Sequence, residues 1–124
     1  MIKKIKYSFL ALLFMSLFNT AYAQCNQQDQ RQAYQCMQQQ LKTDKAKMNK
    51  LYQRIYLQYD DNNKLLLEES QKAWLNYRDA QCNELMGSLT YGALGLASGF
   101  AHLDCEINST TFRLKELSSL IENQ

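Results

Sequence analysis

Ser70-Gln71-Lys72-Ala73-Trp74-Leu75-Asn76-Tyr77-Arg78-Asp79-Ala80-Gln81-Cys82 contains neither glycine nor proline and reads as the interior of a helix. The pattern extends from about Asn63 to Met86 and stops at Gly87. At a helical repeat, Leu67, Trp74, Arg78 and Leu85 share one side, with Leu66, Ala73, Tyr77 and Ala80 beside them. Large aromatics on a helix that must bury one side read as core, so Trp74 and Tyr77 are expected inside. Arg78 and Asp79 are adjacent and should point in different directions. We expect each to meet a partner on another helix: Arg78 an acid or a carbonyl, Asp79 the guanidinium of Arg113.

Upstream, Asp60-Asp61-Asn62-Asn63 is a turn or helix start, where acidic side chains are favourable. Before it, Tyr34, Leu41, Met48 and Ile55 recur every seven residues, with Met37, Leu51, Tyr52 and Tyr59 in neighbouring positions. This is a helical stripe whose other face is rich in Gln and Lys. Eight glutamines fall between Gln27 and Gln40, but Tyr34 and Met37 embedded among them argue against a disordered tract. Thr43-Asp44 offers a cap for a second helix, while the stripe continuing in register favours one unbroken helix; the pattern leaves both open.

Downstream, residues 87–99 carry no charge and hold all four glycines of the chain. They read as a loop. Alternatively, Ala93–Gly99 extends the last helix, with Gly95 and Gly99 permitting close packing. Then Leu103, Ile107, Thr110, Leu114, Leu117 and Ile121 follow at spacings of four and three, a clean amphipathic face. The chain is therefore expected to be all-α, a small antiparallel bundle of three to four helices. The lack of proline fits long uninterrupted helices.

The N-terminus is different in kind. Lys3, Lys4 and Lys6 precede an uncharged apolar run from Phe9 to Phe18, and Ala21-Tyr22-Ala23 follows. This is the pattern of a secretory signal peptide over residues 1–23, cleaved after Ala23. The run is about half of the ~20 residues that a spanning helix needs. Gln24, not Cys25, would be the first mature residue, which argues against a lipid-modified cysteine. The expected domain is residues 24–124, exported to the periplasm or secreted, with no membrane insertion after cleavage. Three of the fourteen basic residues leave with the signal, so the mature domain has eleven against twelve acidic ones, a net charge near −1. A basic nucleic-acid surface is not indicated.

Cys25, Cys36, Cys82 and Cys105 all lie in the mature domain. An even count in a short exported chain predicts two disulfides, with three possible connectivities. Sequential pairing, Cys25–Cys36 and Cys82–Cys105, closes local loops without crossing the chain. A hairpin of the last two helices would also bring Cys82 near Cys105. Each bridge would contribute roughly 3 kcal/mol in the loop-entropy model.

No catalytic constellation stands out, and the chain is not expected to be an enzyme. His102 is the only histidine and reads as part of a solvated helix start near Asp104 and Glu106. Oxidised cysteines are not nucleophiles. Asp60-Asp61 and Glu68-Glu69 read as solvated carboxylates. With no C-x-x-C pair, no G-x-G-x-x-G and no P-loop, neither a metal nor a cofactor is expected.

With Leu66 or Leu67 before it, the Ser70–Cys82 stretch resembles the L-x-x-S-Q-x-A-W-x-x-Y-R-D-x-x-C signature of the lysozyme inhibitor LprI-like family. Asp44–Tyr52, DKAKMNKLY, resembles its D-x-x-[ML]-N-x-x-Y block. Cys105 and TTFRLKEL, with Thr111, Arg113 and Leu117, are similar to its closing C…T-x-R-x-x-x-L, and Cys25 and Cys36 also match. The resemblance spans nearly all of residues 25–120. It implies an all-helical exported bacterial protein whose partner is a protein, lysozyme by the family's name. Ser70, Gln71, Ala73, Trp74, Tyr77, Arg78, Asp79, Cys82 and Arg113 carry the motif and are expected to be mainly structural. An accessory or immunity-type domain with a different protein partner is the alternative.

Inhibiting a glycosidase means occupying a concave acidic cleft. A protruding loop with hydroxyls and an aromatic suits that task. Ser88, Thr90 and Tyr91 are the candidate contacts, with Leu89, Leu94 and Leu96 as apolar neighbours; otherwise the loop folds back and completes the core.

Overall fold

The computed structural model describes Cys25, residues 29–92 and residues 95–122. The signal peptide, its cleavage site and Leu94 lie outside the described residues. All regular structure among the described residues is helical: α1 (Gln30–Gln58), α2 (Asp61–Arg78), a π-helical turn (Asp79–Leu85), α3 (Met86–Thr90) and α4 (Leu96–Glu122). α1 starts at Asp29, whose carboxylate accepts from the Arg31 N–H, and passes Thr43-Asp44 without a break. α2 is capped by Asp60, which accepts from the backbone and the side-chain amide of Asn63. Backbone angles stay helical across both ends of the π turn. α2, the π turn and α3 thus form one continuous helical rod, and the bundle has three rods running up, down and up.

The core follows the seven-residue rhythm. Met48 and Ile55 from α1, Leu67 and Trp74 from α2, and Leu117 from α4 form one cluster. Leu41, Leu103 and Ile107 form the other, with Tyr34 and Met37 against them. α1 packs most extensively on α4, its parallel neighbour, and α2 lies more lightly against both. Close approach of α1 and α4 at their N-terminal ends depends on Gly99. A Cβ there would lie 2.9 Å from Cε2 of Tyr34, whose ring meets Phe100 edge-on at 5.4 Å. Both disulfides form in the sequential pairing, Cys25–Cys36 and Cys82–Cys105, with Cα separations of 5.5 and 5.6 Å.

The π turn changes which residues face inward after Arg78. Its i→i+5 bonding inserts an extra residue, which turns the downstream face by roughly 100°. The buried position after Leu67 and Trp74 is therefore Cys82, eight residues on, rather than position 81. Leu85, expected on the buried side, is exposed, and Met86 takes the half-buried place. Upstream of the π turn, on regular α2, Tyr77, expected as core, stands outside on the face next to the core, as does Leu66. His102 is not at a solvated helix start: it is half-buried within α4, with Nδ1 3.2 Å from the Cys82 carbonyl oxygen.

The glycine-rich segment is also shorter as a loop than its composition suggests. Residues 87–90 are helical in α3 and residues 96–99 open α4. Gly92 and Gly95 take positive φ of 81° and 51°, conformations that glycine adopts without steric cost.

Candidate functional site

Two buried charged residues of α4 organise the interior. Arg113, 6% exposed, donates from Nε to Gln71 Oε1 (3.0 Å), from Nη2 to Ser70 Oγ (3.0 Å) and from Nη1 to Glu116 Oε2 (3.2 Å). Glu106, 5% exposed, accepts from Lys45 Nζ of α1 at 2.6 Å and faces Arg78 Nε of α2 at 3.8 Å. Arg78 also lies 5.3 Å from the Trp74 ring and 3.0 Å from Asp79. Arg78 thus reaches an acid on another helix. The expected Asp79–Arg113 contact does not form: Asp79 accepts from its neighbour Arg78 and from Asn83, while Arg113 is committed to Gln71 and Ser70 of α2, more than two turns earlier. The motif residues Ser70, Gln71, Trp74, Arg78 and Cys82 therefore face α4 or the core. Ala73 and Tyr77 face outward.

The described residues on either side of the α3–α4 connection include several exposed side chains. Tyr91 is 91% exposed, and Leu89 and Leu96 are exposed beside it in sequence. Ser88 is exposed on α3. Thr90 differs from Ser88 and Tyr91, because its hydroxyl bonds to the Met86 carbonyl (2.7 Å) and to Ser98 Oγ (2.9 Å) and braces the two sides of the turn. The Cys82–Cys105 bridge ties the base of this hairpin.

Two grooves flank α2. Between α1 and α2, a polar valley of about 590 Å³ is lined by Lys45, Asn49, Tyr52, Gln53, Glu68 and Lys72, among others. Burial first, then the Glu68 carboxylate, raises the pKa of the Tyr52 phenol, with Arg113 opposing. Tyr56 is raised chiefly by its hydrogen bond to Glu68. On the other side, a groove of about 880 Å³ runs between α2, the π turn and α4. Tyr77 (62% exposed) and Phe112 (61% exposed) stand in its walls, with Trp74, Gln81, Met86, Asp104 and Ser109.

Phe112 and Glu106 were not singled out by sequence. Phe112 falls between the apolar stripe positions of α4, which itself marks it as an outward-facing aromatic. Glu106 sits seven residues before Arg113, on the same helix face. Among the described residues, no group of three or more His, Cys, Asp or Glu is placed to hold a metal ion. No helix among them is long and apolar enough to cross a membrane.

The family model described as lysozyme inhibitor LprI matches residues 21–117. No curated protein and no solved structure matches the chain.

Proposed function

The chain belongs to the lysozyme inhibitor LprI family, and from that premise we propose that it is exported to the periplasm or beyond, binds lysozyme there and protects peptidoglycan. Two disulfides fit an oxidising compartment. The signal peptide over residues 1–23, with cleavage after Ala23, supplies the route. The protein acts by occupancy rather than by catalysis, with no cofactor.

The observation that carries this reading is the tip of the α3–α4 hairpin. An exposed end presenting Tyr91 and Ser88, with Leu89 and Leu96 as apolar contacts, suits a concave cleft with two carboxylates. The phenol and hydroxyl offer hydrogen bonds to those carboxylates, and the leucines exclude water. Thr90 acts from within by bracing the turn. The disulfide at the base and this hydroxyl pair hold the tip in shape before binding, which reduces the ordering entropy lost on association. A net charge near −1 gives little long-range steering, so affinity comes from contact.

The test is a cell-wall lysis assay with the oxidised mature protein and lysozymes of several classes. Dose-dependent inhibition is expected, weakened at least about tenfold by Tyr91→Ala if Tyr91 is an aromatic anchor. Absence of inhibition at micromolar concentrations and above for every class sinks the lysozyme assignment and favours a different protein partner. Full inhibition by both the Ser88→Ala and Tyr91→Ala variants moves the contact away from the tip.

A further inference from the structure

The groove between α2, the π turn and α4 has a composition that selects its occupant. Its two most exposed walls are the rings of Tyr77 and Phe112, and among the described residues neither ring has an aromatic or cationic partner. Trp74, in the same groove, is different: its ring carries Arg78 at 5.3 Å. Asp104 lies on the rim, with one carboxylate oxygen accepting from Asn108 and the other open. Ser109 contributes a hydroxyl that is buried without a hydrogen-bond partner. The only cation among the lining residues is Arg113, and its donors are spent on Gln71, Ser70 and Glu116. The groove therefore offers ring faces and the open carboxylate oxygen of Asp104, and no free positive charge; the Ser109 hydroxyl lies beneath its surface.

We propose that this groove docks an arginine side chain, flanked by apolar residues, from the protein partner. The proposal rests on the reading of the chain as a protein-binding inhibitor and names a second contact, distinct from the tip. A guanidinium is planar and weakly hydrated, stacks on aromatic faces and keeps in-plane donors for a carboxylate. Tyr77 and Phe112 supply the faces, and the exposed Asp104 carboxylate the acceptor. The length of the groove, past Ala73 towards Met86 and Ala101, accommodates the apolar neighbours of the arginine as well as its own stem. The π turn matters here because it forms the wall carrying Gln81 and Cys82. It brings Cys82 inward to its disulfide, while Tyr77, upstream on regular α2, stands on the rim.

The probe is the blocked tripeptide Leu-Arg-Leu, titrated into the oxidised, isotope-labelled mature protein and followed by amide NMR shifts. Saturable shifts are expected at Tyr77, Gln81, Ser109 and Phe112. Binding of Leu-Gln-Leu should be about tenfold weaker, the measure of a cation held by rings and a carboxylate. Tyr77→Ser with Phe112→Ser should abolish the shifts with melting unchanged. Asp104→Asn, a smaller change on an exposed residue, should weaken them if the double variant does not fold. No saturable shift, or equal binding of the glutamine peptide, overturns the proposal. So does a concentration-dependent dimer in which Tyr77 and Phe112 are protected, since a second copy would then be the occupant. Lysozyme inhibition without peptide binding overturns the groove alone, whereas peptide binding without inhibition of any lysozyme overturns the lysozyme assignment alone.

Discussion

The two faces of the second rod have opposite fates. On the inward face, Gln71, Trp74, Arg78 and Cys82 are each tied to another element: Gln71 to Arg113, Trp74 to the core of α1 and α4, Arg78 to Glu106, and Cys82 to Cys105. On the outward face, Ala73, Tyr77 and Gln81 line an open groove. Both faces belong to one unbroken motif of thirteen residues, so sequence proximity gives no sign of the division. What divides them is the helical repeat and its local change to π geometry. The lesson is that a motif in a small bundle can hold the fold together with one side and leave the other side for binding.

Substitutions on the inward face should cost the most. Trp74→Ala removes the largest side chain of the three-helix cluster and should lower stability by about 3–5 kcal/mol, read by chemical denaturation. Replacing Cys82 and Cys105 together by alanine frees a loop of 23 residues and should cost about 3 kcal/mol, with the tip losing amide protection before the α1–α4 core. Glu106→Gln leaves Lys45 and Arg78 without their shared carboxylate. Lys45 can turn to water but Arg78 is largely buried, so a loss of about 2 kcal/mol is expected. Equal tolerance of all three would erase the contrast between the faces.

Much of this was legible in the residues themselves. Tyr34, Leu41, Met48 and Ile55 marked the inner face of α1, and the stripe from Leu103 to Leu117 marked that of α4, because an undistorted helix repeats faithfully. Sequential disulfide pairing followed from a hairpin geometry that the structure contains. Leu85 was misplaced because a uniform helical period was carried through Asp79–Leu85, and nothing in that composition announces a π turn. Tyr77 lies before that turn on regular α2, about 60° round the helix from Trp74, and was misplaced because a large aromatic was read as core. The missing Asp79–Arg113 pair has a different cause: pairing depends on height along two helices, and the heights were unknown until α2 and α4 were aligned. Gly87 reads as loop but is helical in α3, whereas the alternative that residues up to Gly99 extend the last helix, with Gly99 permitting close packing, holds from Leu96 onward. Their hydroxyls and aromatic ring marked Ser88, Thr90 and Tyr91 as candidate contacts, but Thr90's bracing role needed the position of Ser98.

Outward-face changes should be nearly silent in stability. Tyr77→Ala is expected to stay within about 0.5 kcal/mol of the parent, despite removing an aromatic ring. A loss comparable to that of Trp74→Ala would mean that Tyr77 is core after all and would collapse the distinction.

The smallest expected effect lies in the valley between α1 and α2, and it separates burial from a direct bond. Tyr52 and Tyr56 both have phenols raised above the usual value of 10.0, Tyr52 first by desolvation and Tyr56 first by its bond to Glu68. A raised phenol holds its proton in the fold where the unfolded chain would release it. Its contribution to stability is therefore complete below the unfolded value and is lost as pH rises through the folded one. Stability should fall with pH in that alkaline window, and tyrosinate absorbance should show a late-titrating component. Glu68→Gln removes the carboxylate from both. The Tyr56 part should then move to lower pH clearly, whereas Tyr52 should move less, because its burial persists. Identical shifts for the two, assigned with Tyr52→Phe and Tyr56→Phe, would mean that Glu68 rather than burial governs both phenols and that the α1–α2 valley is wetter around Tyr52 than its half-buried ring implies.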